Sequence, residues 1–167
     1  MAAATQTDLA DPSLMAKWAI EPRGVFSRHY ELFRAGAHVT TLQMALWREG
    51  GTFTIAGHDF AVSRPSLWTD TFHLLVDGES VCDVRRKFWS SKFELATAEQ
   101  RWVLQPATFF STTYQILAHG REQGRISRAG WFTRRRVAKF ASVVPPPVQV
   151  LAIFLVLIVA NRQSKAH

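Results

Sequence analysis

The sequence predicts a mainly β domain, a sandwich or barrel of short strands, followed by one apolar helix at the C-terminal end. Three observations carry this. Apolar and polar residues alternate with a period of two through much of residues 15–140. Turn signals built on Gly, Pro and Asp recur about every ten residues. Residues 148–160 are apolar with the single exception of Gln149.

The strands come first. In TFTIA, Phe53 and Ile55 share one face and Thr52 and Thr54 the other. TFHLLV places Phe72, Leu74 and Val76 together, KFELA pairs Phe93 with Leu95, and TYQILA aligns Tyr114, Ile116 and Ala118. Successive side chains on a strand point to opposite faces, so this alternation marks strands buried on one side only. Between them, Pro22-Arg23-Gly24, Glu49-Gly50-Gly51, Ala56-Gly57-His58, Asp77-Gly78, Thr97-Ala98-Glu99, Gly120 and Gly124 read as turns. Asp77-Gly78, set between LLV and SVCDV, is a two-residue hairpin signal, because both central positions of such a turn need positive φ. No stretch before residue 141 has a helical stripe with a cap and a stop. Turns at this spacing leave room for about ten to twelve short strands. Residues 15–163 read as a single domain, with 1–14 a disordered lead-in and 164–167 a polar tail.

The helix follows Pro145, Pro146 and Pro147, residues that cannot continue a strand ladder but suit a first helical turn. Asn161, Arg162 and Lys165 supply a cationic C-terminal end, favourable to the helix dipole. The segment between is apolar around its whole circumference and has to be buried on all sides, in protein or in lipid. At about 1.5 Å per residue it spans about 20–24 Å, short of the ~30 Å of a bilayer core. Length favours a core helix over about 147–162, with Val150, Leu151, Ile153, Phe154, Leu155, Leu157 and Ile158 as its buried body.

Composition narrows the class. The 167 residues are 47% hydrophobic with six Trp and twelve Phe, enough for one well-filled core. A single cysteine, Cys82, excludes a disulfide framework and a thiolate-rich metal site. The start MAAATQTDLADPSL has no basic and apolar leader pattern and no Gly at position 2, so a cytoplasmic protein is expected. The net charge of +7 is uneven: residues 1–100 hold ten Lys/Arg and twelve Asp/Glu, whereas 101–167 hold ten Lys/Arg against Glu122 alone. Such polarity attracts phospholipid headgroups or nucleic acid.

Short strands in this number, then one fully apolar C-terminal helix, resemble the tubby C-terminal-like superfamily, which includes tubby-like proteins, phospholipid scramblases and LURP-one-related proteins. LLVDGESVCDVRRKFWSSKFELA is similar to their succession of apolar strand, D-G turn and strand ending in basic residues. GRISRAGWFTRRRVAKF, residues 124–140, looks like their late strand and the segment leading to the helix. The resemblance covers about residues 15–163 and carries no invariant motif, so no binding residues transfer. It implies a closed barrel of about twelve antiparallel strands around the hydrophobic C-terminal helix and contact with anionic phospholipid; a monomer without cofactor or metal is expected. Asp77, Glu79 and Asp83 lack the oxygen spacing of a calcium loop and read as a solvated hairpin.

Catalytic signatures are missing: no G-x-S-x-G, no phosphate-binding glycine loop and no H-E-x-x-H occurs. His58-Asp59 is the one His/acid pair adjacent in sequence; neighbours on a strand face apart, so it reads as a loop, and no enzyme is expected. The informative polar stretch holds Arg125, Arg128, Trp131, Arg134, Arg135, Arg136 and Lys139. Three successive arginines do not suit one strand face, so they are expected exposed and close together at a strand end, a bulge or a loop. Aromatics beside cations suit a membrane interface. Two other readings fit the same residues: a tail anchor through 148–160 with a cytoplasmic β domain, and a barrel that stacks on single-stranded nucleic acid.

Overall fold

The structure is a computed structural model that describes residues 15–25, 27–45, 49–87 and 90–166. The expected lead-in, 1–14, lies outside the described residues. Twelve strands are present among those described: β1 (Met15–Pro22), β2 (His29–Arg34), β3 (Ala37–Met44), β4 (Gly51–Ile55), β5 (His58–Ser63), β6 (Thr71–Val76), β7 (Glu79–Arg86), β8 (Phe93–Ala96), β9 (Arg101–Pro106), β10 (Tyr114–Ala118), β11 (Arg121–Arg128) and β12 (Arg136–Ala141), followed by the helix α1 (Pro146–Lys165). Each strand pairs with its chain neighbours, and β1 pairs antiparallel with β12 from Met15↔Ala141 to Ile20↔Arg136. The sheet is therefore a closed up-and-down barrel with no free edge.

The expected alternation is the burial pattern of the wall. Phe53, Phe72, Leu74, Phe93, Leu95, Tyr114 and Ile116 all point inward and are buried. Four hairpins turn on a pair of positive-φ residues: Ala35-Gly36, Ala56-Gly57, Asp77-Gly78 and His119-Gly120. That is the backbone of a type I′ turn, whose twist matches the flanking strands. Gly124 is not a turn residue. It lies inside β11, where an added Cβ would stand 2.6 Å from Phe140 Cδ1 and 2.7 Å from the Lys139 carbonyl; glycine here permits close packing. His58 and Asp59 also depart from expectation: they open β5, with Asp59 accepting from Thr54 Oγ1 at 2.7 Å.

The helix fills the barrel. Every residue from Val148 to Val159 is buried, including the seven expected core residues, and one continuous core joins them to the inward side chains of the wall. Contacts on nearly opposite sides of the ring put α1 near the axis. Trp18 of β1 donates Nε1–H to Gln149 Oε1 at 2.6 Å, and Phe72 of β6 meets Phe154 edge-on at 6.5 Å. Gln149, the polar exception in the apolar run, also donates to the Val144 carbonyl at 2.7 Å, so both ends of its amide are satisfied. An eight-stranded barrel is filled by its own side chains; twelve strands admit a helix about 10 Å wide. By length and composition α1 would also pass for a membrane span, with 20 residues and mean hydropathy 1.5, yet its lipid-compatible surface is already covered. It runs one turn past the expected end, to Lys165, with Arg162 and Lys165 in its last turn.

Candidate functional site

Antiparallel strand order makes the two ends of the barrel unlike. At the end where α1 begins, the strands are joined by the four two-residue turns, by 97–100 and by 142–145. At the end where α1 finishes, the connections are 23–28, 45–50, 64–70, 87–92, 107–113 and 129–135, six or seven residues each. Those six connections carry Arg23, Arg28, Arg48, Arg64, Lys87, Lys92, Arg134 and Arg135 against Glu49 and Asp70. The short connections carry Asp77 and Glu99 and no Lys or Arg, while Arg34, Arg101 and Arg121 stand at the strand ends beside them. Of the ten Lys/Arg in residues 101–167 only Arg134 and Arg135 lie on these connections, so the positive excess of the long connections is gathered from along the chain and is not the cationic C-terminal third itself.

The same end carries seven of the ten exposed large apolar side chains among the described residues, including all the exposed aromatic ones. Trp68 is 97% exposed, Phe110 92% and Trp131 91%, and Val25, Leu67, Phe109 and Phe132 stand out beside them. Their spacing follows an internal repeat. Apolar–aromatic doublets begin at residues 25, 46, 67, 88 and 109 (Val-Phe, Leu-Trp, Leu-Trp, Phe-Trp, Phe-Phe), one every 21 residues, and Trp131-Phe132 follows one residue late. The tight turns keep step at Ala35, Ala56, Asp77 and His119, with Ala98 at the intervening position. One repeat is thus a long connection, a strand, a short turn and a strand, five times around the ring; the sixth long connection leads to β12, which closes the barrel on β1 and passes into α1. Phe26, Leu46, Trp47, Phe88 and Trp89 lie outside the described residues; their place in the repeat is a fact of sequence.

The seven residues expected to form one basic patch divide between two places. Arg125 and Lys139 sit opposite each other on the outer wall, with Lys17 next in the row, and Arg125 Nε donates to Glu122 Oε1 at 2.7 Å. Arg128, Trp131, Arg134 and Arg136 line a cavity of about 280 Å³ at the barrel mouth, together with Tyr30, Phe132, Thr133 and the last turns of α1. Arg135 is exposed in the connection before β12. The expectation that Arg134, Arg135 and Arg136 are all free and exposed is corrected. Arg134 is tied down, donating to the Tyr30 hydroxyl at 2.9 Å and to the carbonyls of Gly24, Val25 and Ser27. Arg136 points into the barrel, only 6% exposed, because β12 has already begun there and its inward positions are 136, 138 and 140.

On the opposite side of the mouth an ion network holds the end of α1. Arg162 donates to both carboxylate oxygens of Glu49, Arg64 Nη1 donates to Glu49 Oε2 at 2.5 Å, and Arg64 Nη2 donates to Asp70 Oδ1 at 3.0 Å. Burial pushes the Glu49 carboxyl up, but hydrogen bonding and attraction from Arg162 and then Arg64 outweigh it, and the net direction is down.

Other chemistry-bearing groups lie on the wall. His73 Nδ1 and Ser80 Oγ both contact Asp83 Oδ1 at 2.6 Å. The serine therefore bonds the carboxylate and not the imidazole, unlike a nucleophile–base–orienter relay. His38 Nε2 meets Glu31 at 2.5 Å in a similar surface pair. The partners are seven and ten residues apart and are brought together across the β2–β3 and β6–β7 hairpins. Cys82 is buried, and burial pushes its thiol up to about 12, so it stays protonated at neutral pH. Among the described residues no group of three or more His, Cys, Asp or Glu is placed to hold a metal ion.

Comparison with protein-family models, with curated proteins and with solved structures gives no match.

Proposed function

We propose that this protein docks end-on to anionic phospholipid surfaces through the long-loop end of its barrel. One observation carries the reading: the exposed side chains Val25, Leu67, Trp68, Phe109, Phe110, Trp131 and Phe132 and the positive excess of the long connections share the same end. Tryptophan and phenylalanine at loop tips suit the headgroup and upper acyl zone, and cations behind them gain about 1 kcal/mol each near an acidic leaflet. Eight cations against two carboxylates on the connections make several kcal/mol of such attraction available. The barrel then stands on the membrane as a peripheral, non-enzymatic, monomeric module on the cytoplasmic side, in keeping with its resemblance to tubby-like and scramblase-type barrels. The tail-anchor reading is set aside because residues 148–159 already fill the barrel, and withdrawing them would empty its core.

Vesicle flotation tests this. Vesicles with phosphatidylserine retain the protein and neutral phosphatidylcholine vesicles do not. Raising the salt from about 0.1 M to about 1 M, which shortens the screening length from about 10 to about 3 Å, releases it. Trp131→Ser with Phe132→Ser weakens retention and leaves the unfolding midpoint unchanged, since both side chains are outside the core. Equal retention on neutral vesicles, or release from lipid by single-stranded polynucleotide, would count against the proposal, the latter in favour of nucleic-acid stacking.

A further inference from the structure

We infer that the cavity at the barrel mouth beside the end of α1 is a binding site for a single phosphate group. Arg136 forms its inner wall. This residue is more than nine-tenths buried, and among the described residues its enclosed Nη1 has no hydrogen-bond partner. Directly across the strand pair stands Arg128, on the same inward face. Two like charges placed opposite each other on neighbouring strands repel, and a buried guanidinium without an acceptor is costly. The remaining lining does not relieve this: among the described residues, from Tyr30 and the 131–134 segment to Ser164 of α1, it includes no carboxylate. Arg134 spends its donors on three backbone carbonyls and the Tyr30 hydroxyl, so it shapes the wall and adds positive field. Burial, and then the nearness of Arg128, push the Arg136 guanidinium towards losing its proton, the direction an anion in the cavity would reverse.

The chemistry of the missing partner follows from these groups. It is an oxyanion, because the available donors are guanidinium N–H groups, which match phosphate oxygens in forked pairs. It carries more than one negative charge or meets more than one arginine, because Arg128 and Arg136 converge on it. At about 280 Å³ the cavity is near the lower limit of small-molecule pockets, which leaves room for an ester substituent beside the phosphate. That phosphate comes either from a lipid headgroup or from a soluble phosphate or phosphate monoester. The site does not rest on the end-on docking reading, since both sources meet the same donors.

The test uses the full chain and two readouts. In the first, thermal unfolding is followed in sodium phosphate and in sodium chloride of equal ionic strength. The site predicts a saturable rise of the midpoint in phosphate only. Arg136→Met has a higher midpoint than the natural chain in chloride, because an unpaired buried charge is gone, and shows no phosphate-dependent rise. Arg128→Gln needs about tenfold more phosphate for half the effect, and it remains informative if Arg136→Met does not fold. An unfolding midpoint indifferent to phosphate, or an unchanged response in either variant, overturns the site. In the second readout, vesicles with phosphatidic acid are compared with vesicles of equal charge made with oleate. Preferential retention on phosphatidic acid that Arg136→Met abolishes identifies a headgroup as the source. A phosphate response in solution with retention unaffected by Arg136→Met identifies soluble phosphate. Absence of retention on every acidic vesicle removes the docking proposal and leaves the first readout to decide the site.

Discussion

Gly51 marks how closely the wall approaches the central helix. A Cβ there would stand 2.7 Å from the Gln43 carbonyl oxygen and 2.9 Å from Phe154 Cε2. Gly51→Ala is expected to destabilise by about 1–3 kcal/mol through overpacking, measured by denaturant unfolding. Gly57 needs glycine for its φ of +78° but has open space around it, so Gly57→Ala is expected to cost only about 1–2 kcal/mol. At the mouth, Glu49 holds Arg162 and Arg64, and its carboxyl is displaced downward in the folded protein. A depressed carboxyl contributes stability above its unfolded pKa, about 4.3, and loses it as pH falls through the lower folded value. Glu49→Gln should therefore cost about 1.5–3 kcal/mol at pH 7, with the difference from the natural chain shrinking below about pH 4. Individual arginines were only partly legible in sequence. Arg134, Arg135 and Arg136 look alike as text; what separates them is that β12 begins at Arg136 and that Arg134 reaches carbonyls some 110 residues earlier.

Elements were the most legible level. Period-two alternation names the inward faces of β4, β6, β8 and β10 directly, because a strand buried on one side has no other way to arrange its residues. The helix was legible from its apolar circumference, but its length was not decisive: α1 has the 20 residues of a membrane span, and it is the burial of residues 148–159 inside the barrel that marks it as core. Its dependence on the barrel is mutual. Deleting residues 142–167 should leave a chain that aggregates or melts without a cooperative transition, because the inward side chains of the strands lose their packing partners; a soluble, cooperatively folded truncation would contradict a core role. Gln149→Leu leaves the Trp18 indole N–H without its acceptor, since that bond is 2.6 Å and buried. A loss of about 1–3 kcal/mol is expected in the same unfolding assay.

The whole molecule is a ring of five similar units of about 21 residues closed by the pair β12–β1, and this order is invisible to a period of two. A period of two sees single strands; the doublets at 25, 46, 67, 88 and 109 appear only when positions about twenty residues apart are compared, as in other repeat folds. Repetition gathers what sequence scatters: Val25, Leu67, Trp68, Phe109, Phe110, Trp131 and Phe132, spread over more than a hundred residues, are exposed at one end of the barrel, beside cations drawn from the same connections. The loop-end account can be tested by fluorescence quenching with phospholipids brominated along the acyl chain, using variants that keep one tryptophan each. On acidic vesicles the account predicts strong quenching of Trp68 and Trp131, at the long-loop end, and none of Trp18, which is 2% exposed and bonded to the helix inside the barrel. Quenching of Trp18, or acidic-vesicle binding without quenching of Trp68 and Trp131, would contradict it.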